Sequence, residues 1–125
     1  MNSNVFEFTN YDVEVELAGH KFTMDCSTDT GDYLKNAGAE LKKLAKGYSA
    51  GTVSKENICE FGRDVIDKLL GSGSAETLLN GRKHEVSDIV DICVFLAQIA
   101  AKFQTERVAR AESRVQRSGK SAKGK

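Results

Sequence analysis

Tyr11-Asp-Val-Glu-Val-Glu-Leu-Ala-Gly-His-Lys-Phe-Thr-Met-Asp-Cys26 alternates apolar and polar residues in two runs, with Ala18-Gly19 between them. A period of two marks strands with one buried face, and two such runs joined by two residues mark a hairpin. That turn pairs Leu17 with His20, Val15 with Phe22, Val13 with Met24 and Tyr11 with Cys26. In this register the apolar residues of both strands share a face, and a slip of one residue would divide them. A lone hairpin is marginal in water, so the face must pack on helices or join a further sheet. Upstream, Val5-Phe6-Glu7-Phe8 either lengthens the first strand or adds a short one.

Helical spacing takes over downstream. The pattern predicts a first helix from about Thr30 to Lys46, burying Tyr33, Leu34, Ala37, Leu41, Leu44 and Ala45, with Gly47 as its stop. A second helix over 55–70 follows Ser54 as N-cap, buries Ile58, Phe61, Val65, Ile66 and Leu69, and ends at Gly71. Gly71-Ser-Gly-Ser74 reads as a flexible joint, a short helix over 75–79 closes at Asn80-Gly81, and a long helix over 87–104 starts at Ser87 as cap. The fold class is therefore α+β: an N-terminal β-hairpin packed on a small bundle of three to four helices. Residues 1–104 make one domain. Residues 105–125 add a basic helical extension that ends, from Ser118, in a disordered tail rich in Lys, Gly and Ser.

The long helix is apolar over too wide an arc. From Ile89 to Ala101 only Asp91 and Gln98 interrupt the apolar residues, which cover roughly two-thirds of the circumference. One packing face needs a single stripe. Ile89, Ile92, Cys93, Val94, Leu96, Ala97, Ile99 and Ala100 must be covered from more than one side, which predicts self-association through this helix. Beyond it, Arg107, Arg110, Arg114 and Arg117 recur at spacings of 3, 4 and 3, beside a weaker apolar stripe of Val108, Ala111 and Val115. The chain has no proline to break the helix there. The candidate partner-binding residues are thus Val94, Ala97, Ala101, Arg107, Val108, Arg110, Ala111, Arg114, Val115 and Arg117. A basic amphipathic helix can meet an acidic helix, nucleic-acid phosphates or an anionic membrane. The lack of aromatic residues after Phe103 argues against single-strand binding by base stacking.

Composition narrows the classes further. A chain of 125 residues, 40% hydrophobic and 29% charged, suits one globular domain. Its formal net charge of zero conceals a polarity along the chain. Glu7, Asp12, Glu14, Glu16, Asp25, Asp29 and Asp32 crowd the start, whereas Arg107, Arg110, Arg114, Arg117, Lys120, Lys123 and Lys125 crowd the end. Opposite ends can attract head to tail or bind a third party. Cys26, Cys59 and Cys93 are odd in number, far apart and set in apolar patterns, as buried thiols in a reducing cytoplasm would be. The polar start lacks the basic n-region of a signal peptide, and the apolar helix is too short for a membrane span. A soluble cytoplasmic protein is expected, with no membrane partner.

No catalytic, cofactor or metal signature emerges. Gly71-Ser-Gly-Ser-Ala-Glu76 lacks the third glycine of a dinucleotide loop and follows a helix where a strand is required. Gly119-Lys120-Ser121 imitates the end of a phosphate-binding loop, but Arg114 stands where its first glycine belongs. His20 and His84 have no Cys or His partner at zinc-ligand spacing. Asp64 with Asp67, and Asp88 with Asp91, read as solvated helix charges, the second pair favoured by the helix dipole.

The order of elements resembles a known family. Phe6-Glu-Phe8 leads to Val13-Glu-Val-Glu-Leu-Ala-Gly-His-Lys-Phe22, then to Asp67-Lys-Leu-Leu-Gly-Ser-Gly-Ser-Ala-Glu-Thr-Leu-Leu-Asn-Gly-Arg82 and Asp88-Ile-Val-Asp91. Over most of residues 5–104 this is similar to the tail assembly chaperones of long-tailed bacteriophages of Gram-positive hosts. The resemblance implies a non-enzymatic helper in the host cytoplasm that coats the helical tape measure protein, recruits tail tube subunits and leaves the finished particle. It also implies that a programmed frameshift in the same gene appends a second domain, this chain being the shorter product. Two other classes fit the charge polarity: a structural phage tail or connector component, and a small nucleic-acid-binding regulator whose affinity would fall steeply with salt. A nucleic-acid partner is disfavoured against a helical protein client and other copies of the chain.

Overall fold

The structure, a computed structural model, describes residues 6–82 and 85–123, with side chains described through Ser113 and at Val115. Strands β1 (Asp12–Leu17) and β2 (His20–Asp25) pair antiparallel in the expected register, from Leu17 with His20 to Val13 with Met24. Cys26 N donates to Tyr11 O at 2.8 Å, so the pairing continues beyond the strands. Ala18 (φ 49°) and Gly19 (φ 83°) are both left-handed, the geometry of a type I′ turn, whose twist suits a two-residue hairpin. Val15 and Met24 are buried, Val13, Leu17 and Phe22 are partly covered, and His20 is exposed. Phe6 to Asn10 form no strand; the Phe6 and Phe8 rings meet edge to face in the open. Val5 lies outside the described residues.

Four helices follow: α1 (Thr28–Ala50), α2 (Lys55–Leu70), α3 (Ser74–Leu78) and α4 (Val86–Lys123). Ser27 caps α1, accepting from Thr30 N, and the helix begins at Thr28, two residues before the expected start. The far end also moves. Gly47 does not stop α1, which runs on to Ala50 and ends at Gly51 in the left-handed conformation. The chain then folds back, Thr52 N and Val53 N both donating to Gly47 O, and a Cβ at Gly47 would collide with Val53. That glycine serves close packing rather than helix termination.

Helix α2 occupies the centre, touching α1, α3, α4 and β2. Ser54 caps its start and Gly71 its end, as the sequence indicates. Ile58, Cys59, Gly62, Val65, Ile66, Leu69 and Leu70 are all buried, an arc wide enough to receive several neighbours. The Gly71–Ser74 joint is a bonded turn and not a loose one. Gly71 N donates to Asp67 O, Ser74 N donates to Gly71 O, and the Asp67 carboxylate accepts from Ala75 N at 2.8 Å. Asp67, expected as a solvated charge, therefore ties α3 to α2.

The α2–α4 crossing is closest at Gly62, where a Cβ would collide with Ile89 and where Cys93 Sγ donates to Gly62 O at 3.6 Å. Helix α4 begins at Val86, so Ser87 lies inside its first turn and is not the cap. Arg82 pairs with Asp88 there at 2.7 Å. Assigned through Lys123, α4 takes in most of the stretch expected to be a disordered end. His84 lies outside the described residues.

Candidate functional site

One line of α4 residues (Ile89, Cys93, Leu96 and Ala100) enters the core, with Ile92, Ile99 and Phe103 packed partly against it. The remainder of the apolar arc is covered only in part: Val90 and Ala97 are half-buried, whereas Val94, Phe95 and Ala101 are exposed. Val94 is 45% exposed and Phe95 41%. Val94 opens onto a groove between α4 and α1, lined by Leu34, Gly38, Leu41, Ala45, Val90 and Ala97, with a volume of about 270 Å³. A second cavity of about 520 Å³ shares Leu34 and Ala97 and continues to Gly31, Ala101 and Thr105. Together they form an apolar trough along the helix pair.

Small residues make the trough. Gly31, Gly38 and Ala45 on α1 face Ala97 and Ala101 on α4. Nothing stands within 4 Å of the place where a Gly38 Cβ would project. Helix pairs lie about 8–10 Å apart according to the side chains between them, and walls this small admit a third helix at close range. Beyond the body the trough's α4 wall continues as Val108, 53% exposed, then Ala111 and Val115, the last 72% exposed.

The expected binding residues divide into groups. Val94, Ala97 and Ala101 line the trough. Val108, Arg110, Ala111 and Val115 are exposed on the extension. Arg107 is partly covered, its guanidinium 4.6 Å from the centre of the Tyr11 ring, where it joins the extension to the hairpin. Arg114 and Arg117 lie within α4, their side chains outside the described residues. The α1 wall escaped sequence reasoning, although Gly31, Leu34, Gly38, Leu41 and Ala45 repeat at alternating spacings of 3 and 4. That spacing was the available signal.

Cys93 is the thiol that lines the trough. Burial pushes all three thiols up, Cys93 to about 11, and none forms a disulfide. Such thiols are protonated and poor nucleophiles at neutral pH. Among the described residues, no three His, Cys, Asp or Glu side chains come together to hold a metal ion, and no helix is long and apolar enough to cross a membrane. Comparison with known protein families, with curated proteins and with solved structures finds no match.

Proposed function

We propose that this chain is a tail assembly chaperone of a long-tailed bacteriophage, which holds apolar helical segments of the tape measure protein in solution during tail assembly in the host cytoplasm. The observation that carries this reading is the uncovered apolar trough between α1 and α4, continued by the exposed stripe on the extension. A holder of long helices needs an elongated apolar surface with small walls and needs no chemistry. Each 100 Å² of apolar surface covered by the client brings roughly 2.5 kcal/mol, set against the cost of association. Tail tube subunits join the complex at a later stage of the same process, and the chaperone leaves the finished particle.

Co-expression with fragments of the tape measure protein from the same phage tests the reading. The chain should keep fragments soluble that precipitate alone, and Ala97→Glu should abolish retention without unfolding the chaperone. Fragments that precipitate equally with and without the chain would defeat it. A replacement of Arg107, Arg110, Arg114 and Arg117 together by Gln, assayed at two ionic strengths, separates the contribution of the basic residues from that of the trough.

A further inference from the structure

Val90, Val94, Ala97, Ala101, Gln104, Val108, Ala111 and Val115 follow one another along α4 at alternating spacings of 4 and 3. This is the repeat on which two helices wind around each other. The fully buried line of α4 is a different one, Ile89, Cys93, Leu96 and Ala100, although Val90 also packs partly against the core. The one polar residue of the repeat, Gln104, donates from Nε2 to Cys26 O at 2.8 Å, so its amide is turned toward the chain's own body.

The two borders of this line carry opposite charge. Along one run Asp91, Gln98, Thr105 and Glu112, seven residues apart and either exposed or at the helix surface. Along the other, the α1 wall presents Lys42 in the groove that Val94 lines, Lys35 together with Asp32 in the cavity that Ala101 lines, and Arg107 follows on the extension, so that this border is net positive. Parallel pairing sets each border against the opposite border of its partner, whereas antiparallel pairing sets like against like. We infer that two copies of this chain pair in parallel and in register through the 94–115 face of α4, with Arg107 of each against Glu112 of the other and Lys42 of each against Asp91 of the other. The Arg107 guanidinium carbon lies 4.6 Å from the centre of the Tyr11 ring, and a guanidinium, with its five N–H donors, can meet a ring and a carboxylate together. This pairing concerns the chain alone and stands or falls without any client.

Charge exchange in the full chain provides the test, read as mass by light scattering from low micromolar to several hundred micromolar. The wild type should pass from 13.6 kDa to twice that mass. Arg107→Glu alone and Glu112→Arg alone should each weaken pairing about tenfold, since two symmetric attractions become repulsions. Mixing the two single variants should restore it, because every pair across the seam is then attractive, and a purely structural role for either residue would not produce that rescue. Ala111→Cys should give a covalent dimer under mild oxidation. An antiparallel pair centred on Gln104 would hold those sulfurs roughly 20 Å apart along the axis. A monomer throughout the range, a mixture no tighter than its components, or a dimer that fails to cross-link at 111 would each overturn the proposal.

Discussion

Gln104 reaches from the middle of α4 to the carbonyl of Cys26, joining residues 78 apart in sequence at the point where the hairpin passes into α1. The bond fixes both where α4 leaves the body and how it is rotated when it does. Gln104→Leu leaves the Cys26 carbonyl without this donor in a part-buried position, and a loss of about 1–2 kcal/mol is expected in urea unfolding. Amide exchange should accelerate from Ala101 onward more than within α2. Uniform acceleration would show that the bond holds the whole fold rather than the exit of the helix.

Two helical glycines should respond to alanine in opposite senses. Gly62→Ala drives a methyl into Ile89 at the α2–α4 crossing and should cost about 1–3 kcal/mol. Gly38→Ala meets open space in the middle of α1 and should gain about 0.5–1 kcal/mol from helix propensity. Thermal melting of both variants checks the pair. A destabilised Gly38→Ala would mean that the trough is narrower than its walls indicate.

Ala18 holds a left-handed backbone in a turn that favours Asn or Gly. Ala18→Asn should stabilise the protein by roughly 0.5–1 kcal/mol, since Asn adopts this conformation at lower cost. The change touches no core residue, so a shifted denaturation midpoint with an unchanged slope is the expected signature.

Two hydroxyls contribute to the acid limb of stability. The Ser27 hydroxyl first, then that of Thr30, hold the Asp25 carboxyl below its ordinary value of 3.8. A lowered folded-state pKa stabilises above the unfolded value, and that contribution disappears as pH falls through the folded one. Asp25→Asn should therefore flatten the decline of melting temperature below about pH 4. The alkaline limb has the opposite sign. Cys93 rises from 9.0 to about 11 on burial, so its contribution is full below the unfolded value and is lost as pH climbs toward the folded one. Cys93→Ala should remove that slope while adding a small packing loss at every pH.

The hairpin was legible because two independent constraints, alternation and turn length, admit one register. Helix α2 was legible because Ser54 and Gly71 bracket an uninterrupted apolar pattern. The end of α1 was not. Gly47 carries the chemistry of a helix stop, and only the returning Val53 explains why a glycine stands inside the helix. Phe22 reads as core but is only partly covered, and Met24 fills that place with 0% exposure, because the position of α2 against β2 is a tertiary matter. For the trough, the α4 half could be read from an apolar arc too wide for one neighbour. The α1 half required knowing which helix lies alongside.

Because the trough and the extension stripe form one continuous face, a client helix and a second copy, each bound as proposed, would exclude each other from it. Mass action then acts as a buffer. Once dimers dominate, a hundredfold rise in total chain raises the concentration of uncovered faces only about tenfold. Under the proposed pairing, the capacity to receive client would grow with every chain made, while the apolar surface left open to unwanted contacts would grow only as its square root. A client arriving on the face would draw monomers from that dimer pool, and its length would set how many chains are released to cover it.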